Sequence, residues 1–236
     1  ASYPSTLIMN LVPAKIAGVK RIVVATPSNK GKFNSYIMAI LKFFKIKEVY
    51  QIGGAHAIAA LAYGTKTIKP VNKIFGPGNI YVNSAKKQVF GDVGIDMIAG
   101  PSEIVVVADK NNNANWIAAD LMAQAEHDEN AQSILITDNL NFAVKVKNSI
   151  SNIASEILKN KIINKSLNNF GRIIVINSIK SAYKYINKIS PEHLHLQTSI
   201  NNAIYSKVTN AGSVFLGPYS TESFGDYIVG SNHILP

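Results

Sequence analysis

The sequence predicts an α/β protein in which short strands alternate with helices and pair in mainly parallel sheets. Apolar runs such as Arg-Ile-Val-Val-Ala (21–25) recur between stretches of helical periodicity. The runs are continuous and do not alternate with polar residues, which is the pattern of strands buried on both faces beneath covering helices. Glycine turns also stand where a strand gives way to a helix, as at Gly53-Gly54 and Gly76-Pro77-Gly78.

In chain order, Leu7, Ile8, Leu11, Val12 and Ile16 form a helical stripe that closes at Gly18, with Pro13 as a kink or boundary. Residues 21–25 are a strand that stops at Thr26-Pro27. The next helix has Phe33, Ile37, Ile40, Leu41 and Phe44 as its apolar side. A strand over 48–52 runs into Gly53-Gly54 and an alanine-rich helix over 55–63, closed by Gly64. Further strands are expected at 104–108, 133–137, 172–176, 193–197 and 213–216, with helices at 114–127, 140–159 and 179–188. The break between two β/α blocks is placed at Gly100-Pro101, giving domains of 1–101 and 102–236.

At 236 residues, 47% hydrophobic and 16% charged, the chain is globular and long enough to bury a sizeable core. No apolar run reaches transmembrane length and no signal pattern opens the chain, so no membrane association is expected. The absence of cysteine excludes disulfides and thiolate chemistry and fits a reducing cytoplasm. The net charge of +10 does not read as a nucleic-acid surface. It is almost all lysine, spread over helical faces (Lys42, Lys45, Lys47, Lys145, Lys147), and Arg21 and Arg172 are the only arginines. Bidentate recognition of bases and phosphates favours arginine.

Six stretches hold the chemistry, and sheets of this kind usually place ligands at the carboxyl ends of their strands. Gln124 and His127 stand at i and i+3 near a helix end; they read as two metal ligands or as a hydrogen-bonded surface pair. Gly53-Gly54-Ala55-His56 opens a helix whose free N–H groups suit a phosphate, although a tight turn alone also explains the glycines. Asn79, after Phe75-Gly76-Pro77-Gly78, is a helix cap or a ligand donor. Ser102 and Glu103 precede a strand with no local partner to activate a nucleophile. Ser190-Pro191-Glu192-His193 joins a carboxylate and an imidazole, both able to move protons near neutral pH, whereas His195 reads as packed or surface. Farther on, Asp226 in Gly225-Asp226-Tyr227 is a hard oxygen ligand candidate, with His233 nearby.

Seven motifs in order resemble the histidinol dehydrogenase family along essentially the whole chain. They are Gly-Gly-Ala-x-Ala-Ile-Ala-Ala-Leu-Ala-x-Gly-Thr (53–65), Lys-Ile-Phe-Gly-Pro-Gly-Asn (73–79) and Ile-Asp-Met-x-Ala-Gly-Pro-Ser-Glu (95–103). Asp-Leu-x-x-Gln-Ala-Glu-His (120–127), Pro-Glu-His-Leu (191–194) and Ala-Gly-Ser-Val-Phe-Leu-Gly (211–217) follow. The last is Gly-Asp-Tyr-x-x-Gly-x-Asn-His-x-Leu-Pro (225–236).

The resemblance implies two Rossmann-like domains, the first binding NAD and the second carrying zinc and the catalytic residues. It implies oxidation of L-histidinol through L-histidinal to L-histidine, the last steps of histidine biosynthesis, by a zinc- and NAD-dependent cytoplasmic homodimer. Gln124, His127 and Asp226 match the zinc ligands. Ser102, Gln124, His127, His193 and Asp226 match substrate contacts, and Glu192 and His193 match the two proton acceptors. Asn79 matches an NAD contact, and His56 stands where the family usually has an NAD-contacting glutamine. A family tyrosine that contacts NAD and a tail that completes the partner subunit's site fall outside residues 1–236. The chain is therefore expected to be the core of the enzyme, inactive without its two ends. A related zinc- and NAD-dependent dehydrogenase of another small polyol is the main alternative. A zinc hydrolase and a catalytically dead binding module are weaker ones.

Overall fold

The computed structural model describes residues 4–28, 31–98, 100–156, 161–222 and 224, without the side chains of 155 and 156. These residues form two compact units, one up to residue 98 and one from Gly100 onward.

The first unit begins with α1 (Pro4–Ile16), β1 (Val23–Ala25), α2 (Ser35–Phe43), β2 (Glu48–Tyr50) and α3 (Gly54–Tyr63). It continues with β3 (Lys73–Ile74), α4 (Ile80–Val89) and β4 (Gly94–Ile95). Pro13 lies inside α1, whose chain continues one turn past it, so it does not mark the helix boundary. β1 pairs with β2 and β3 with β4, both in parallel. Arg21 adds a polar clasp at the foot of β1, donating twice to Glu48 at 2.9 Å and also to the Pro70 carbonyl at 2.8 Å. The core gathers Ile58 and Leu61 of α3, Val89 of α4, and Ile68, Ile74, Val93 and Ile95. Asn34 caps α2 and Asn79 caps α4, each accepting two backbone N–H bonds.

The second unit runs β5 (Glu103–Ala108), α5 (Ala114–Ala125), β6 (Gln132–Thr137), α6 (Leu140–Glu156) and α7 (Lys161–Phe170). Then come β7 (Arg172–Val175), a 3-10 turn (Ile179–Ser181), α8 (Ala182–Ile189), β8 (His193–Gln197), α9 (Asn201–Tyr205) and β9 (Ser213–Leu216). All five strands are parallel, in the order β7-β6-β5-β8-β9. Counted within the unit this is 3-2-1-4-5, the order of a Rossmann-type sheet.

Side chains alternate across β5 and separate two cores. Val105 and Val107 join Ile134, Ile136, Leu194 and Leu196 under Ile186 of α8 and Ile204 of α9. Ile104, Val106 and Ala108 join Leu135 under Ile117 and Leu121 of α5 and Phe142 and Val146 of α6. Each such fully buried side chain contributes roughly 1.5–3 kcal/mol of burial. This continuous burial matches the apolar runs at 104–108 and 133–137. Among the described residues no helix is long and apolar enough to cross a membrane.

Candidate active site

In the second unit the singled-out residues collect at the amino edge of the sheet, not the carboxyl edge that parallel sheets favour. Strand register aligns Ile104 with His193 and His193 with Ser213, so Ser102, Glu192 and His193 all enter from that edge. The α5 helix runs back over β5 and ends there as well; Ser133 at the foot of β6 donates through Oγ to the Leu121 carbonyl at 2.8 Å.

At the carboxyl edge the loops after β5 and β8 are tied to one another. At the β5/β8 switch point Asp109 accepts from the Asn111 N–H at 3.0 Å and from the Ser199 N–H at 3.0 Å. Asn112 donates to the Gln197 carbonyl at 2.6 Å. The Asp109 carboxylate is thus committed to backbone donors of the fold.

His193 opens β8 with its side chain 11% exposed and its ring 6.2 Å from that of Phe215. Two carboxylates face its Nε2, Glu192 Oε1 at 3.8 Å and Glu222 Oε1 at 3.6 Å. Sequence reasoning missed Glu222; it lies 29 residues beyond His193 and reaches it only because the chain folds back after β9. Trp116 of α5 and Tyr219 hold that returning segment, with ring centroids 5.8 Å apart. The other Glu192 oxygen accepts the Glu103 N–H at 3.3 Å. Burial, and secondarily the Glu192 charge, push the Glu103 carboxyl above the usual glutamate range.

Gly212 lets β9 lie this close to Glu192. Its N–H donates to the Pro191 carbonyl at 3.0 Å and the next N–H, of Ser213, to the Glu192 carbonyl at 2.8 Å. A Cβ at Gly212 would stand 2.6 Å from that Glu192 oxygen.

His195, expected to be packed or superficial, is packed at 1% exposure. Its Nε2 faces the Gly217 carbonyl at 2.9 Å, an acceptor only, so Nε2 carries the proton. The Gln197 amide donates to the Asp120 carboxylate at 2.8 Å, and both groups stand within hydrogen-bond reach of His195 Nδ1, Gln197 Nε2 at 3.0 Å and Asp120 Oδ2 at 3.1 Å. This satisfied network anchors the end of β9, from which the chain runs to Glu222.

Gln124 lies in the last turn of α5 and His127 just beyond it. The helix ends at Ala125, Glu126 caps it, and the exposed His127 lies in the following turn with its N–H on the Gln124 carbonyl at 3.2 Å. Gln124 is 1% exposed, yet its Oε1 has no hydrogen-bond partner. A buried amide oxygen left so costs about 1–3 kcal/mol unless a donor or a cation meets it. That chemistry fits a cation ligand. Among the described residues no three His, Asp or Glu side chains converge as a metal cluster. Asp226 and His233 lie outside the described residues.

In the first unit, His56 is exposed in the first turn of α3, and Gly53 caps that helix without a side-chain bond. Asn79 Oδ1 is used for capping, on the N–H groups of Tyr81 and Val82 at 3.1 Å each; its amide N–H groups remain as donors. The Tyr63 hydroxyl, at the carboxyl end of α3, donates to Asp92, just past the carboxyl end of α4, at 3.0 Å. The two helices therefore run the same way, and His56 and Asn79 belong to amino ends on the same side of this unit.

The chain matches the family profile described as Histidinol dehydrogenase over residues 1–236. It is 50% identical over 236 residues to the histidinol dehydrogenase of Nitrobacter winogradskyi and 52% identical over 238 to that of Bacillus cereus. Each comparison covers 100% of this chain and 55% of the relative, so the chain spans little more than half the length of these relatives. The crystal structure of histidinol dehydrogenase from Elizabethkingia anophelis superposes with a TM-score of 0.93 at 41% identity, covering 100% of this chain and 55% of that one. A profile matched from end to end, half the residues shared and one common backbone place the chain in the histidinol dehydrogenase family.

Proposed function

We propose that the intact protein oxidises L-histidinol through L-histidinal to L-histidine, in histidine biosynthesis, as a zinc- and NAD-dependent cytoplasmic homodimer. The observation that carries this reading is the His193 imidazole at the sheet edge with the Glu192 carboxylate beside it, in a chain half identical to histidinol dehydrogenases.

When bound, NAD⁺ would accept one hydride in each of the two oxidations, two NAD⁺ being consumed per histidinol, and a zinc ion would orient the substrate nitrogens. Gln124, His127 and Asp226 would hold the ion, and the orphaned Gln124 oxygen suits that role. His56 and Asn79 would contact the nucleotide, and Ser102 would join Gln124, His127, His193 and Asp226 around the substrate.

Alcohol oxidation releases the hydroxyl proton together with the hydride, and His193 takes that proton at Nε2. The Glu192 and Glu222 carboxylates beside this nitrogen favour the imidazolium that forms. The aldehyde carries no equivalent leaving hydride until water adds to it. Glu192, half exposed and hydrogen-bonded to the Glu103 backbone, removes a proton from that water. General-base help of this kind is worth roughly 10²–10⁴-fold.

Single-turnover NADH formation by the intact enzyme, started separately from histidinol and from histidinal, tests the division of labour. Glu192→Gln should lower the aldehyde step by about 10²-fold and spare the alcohol step. His193→Asn should do the reverse. Equal losses in both half-reactions for both variants would refute it.

A further inference from the structure

The most completely buried charges in the first unit lie outside every role considered so far. Asp96 directly follows β4, and its N–H donates to the Ile74 carbonyl at 3.0 Å. Gly76 leaves the neighbouring β3 at the same level, at the carboxyl ends of the paired strands. Asp96 Oδ2 accepts the Gly76 N–H at 2.8 Å. Lys86, on α4, donates through Nζ to the Gly76 carbonyl at 2.5 Å and to Asp96 Oδ1 at 2.6 Å. Both side chains are 3% exposed. Gly76 itself has φ +122°, a region that side-chain-bearing residues rarely adopt.

One residue's N–H and C=O are thus gripped by two opposite, desolvated charges. A buried ion pair is poor value for stability alone, since apolar residues of similar volume often do as well. Its directional bonds achieve what apolar packing cannot, fixing how the chain turns out of β3. Three residues later that turn delivers Asn79, whose Oδ1 is committed to capping and whose amide donors are left for a ligand.

We infer that Lys86 and Asp96 are positioning residues that hold the 75–79 loop in its nucleotide-receiving shape without touching the nucleotide. This rests on the reading of Asn79 as a nucleotide contact. Pre-organisation of this kind acts on cofactor affinity, because the free loop needs no ordering on binding.

The test uses Lys86→Met/Asp96→Asn in the intact enzyme, which removes both buried charges together and frees the Gly76 carbonyl. The amide oxygen that replaces the Asp96 carboxylate can still accept from the Gly76 N–H. The KM for NAD⁺ should rise about tenfold, with kcat and the histidinol KM within about twofold of wild type. A purely structural pair would lower only the apparent kcat, through loss of folded enzyme, and leave both KM values unchanged. Asn79→Ala, measured alongside, separates the two ways of failing. If Asn79→Ala raises the NAD⁺ KM and the folded double variant does not, the clamp is overturned. If Asn79→Ala leaves it unchanged, the nucleotide reading of the loop fails and takes the proposal with it. A measurement on the wild type alone covers a double variant that does not fold. Saturating NAD⁺ should slow amide exchange across 75–79 while Gly76, already clamped, is protected before NAD⁺ is added. A Gly76 amide that exchanges at the unprotected rate in the free enzyme would overturn the clamp directly.

Discussion

Gln124 and Glu103 carry opposite kinds of residue-scale tension, and each makes a prediction with a definite sign. The Gln124 oxygen is buried and accepts no bond. Gln124→Leu removes that unpaired acceptor, so chelator-treated protein should unfold at the same temperature as wild type or higher, by up to about 1–3 kcal/mol. Added zinc should then stabilise wild type, by the linkage of binding to folding, and stabilise the variant much less. Equal stabilisation of both by zinc would remove Gln124 from the ligand set. Glu103 is held above the usual glutamate range by burial and by the Glu192 charge. The folded state therefore binds that proton more tightly than the unfolded chain. The stability it contributes is complete below the ordinary glutamate pKa and is lost as pH rises through the raised folded value. Glu103→Gln should raise the urea midpoint at pH 7–8, and the gain should vanish below about pH 4. A gain independent of pH would mean that packing, not charge, is responsible.

Among the elements, β9 matters most to the site because it seats the Glu192–His193 turn. Gly212 brings its backbone within reach of the Glu192 carbonyl, and a methyl group there would stand 2.6 Å from that oxygen. Gly212→Ala should destabilise the protein by about 1–3 kcal/mol and slow both half-reactions of the intact enzyme, since Glu192 and His193 move together. Urea unfolding and the single-turnover assay measure the two effects, and unchanged values in both would deny β9 its seating role. The same scale shows where the sequence was hard to read. The strands 193–197 and 213–216 coincide with β8 and β9, although β8 is buried throughout with a His-Leu-His-Leu-Gln sequence that alternates in polarity, and β9 is exposed at both of its ends. The two-residue strands β3 and β4 are too short to carry any periodicity. The α7 helix is diluted by Lys and Asn, yet Ile163 and Leu167, one turn apart, pack against Met122 and Ala125 of α5. The α5 helix stops at Ala125, short of the His127 that its periodicity suggested.

For the whole molecule, the sequence by itself determined the α/β class, the parallel pairing and the family. Those rest on local signals that survive without neighbours: burial on both faces of a strand, glycine at turns, and seven motifs in order. It also singled out Glu192, His193 and Gln124 as residues with chemistry to offer. Glu192 and His193 were also legible as standing at the start of a strand, and the tertiary structure decided what lies opposite them. Asp109 and Asn112 tie the end of β5 to the end of β8 with bonds to groups far along the chain, which no local pattern announces. Only the tertiary structure brought Glu222 to His193, exposed the unpaired Gln124 oxygen, and joined Lys86 and Asp96 around Gly76. The physical reason is common to all of them. Periodicity reports which way a side chain faces relative to its own element, whereas a site depends on what the other elements bring opposite it.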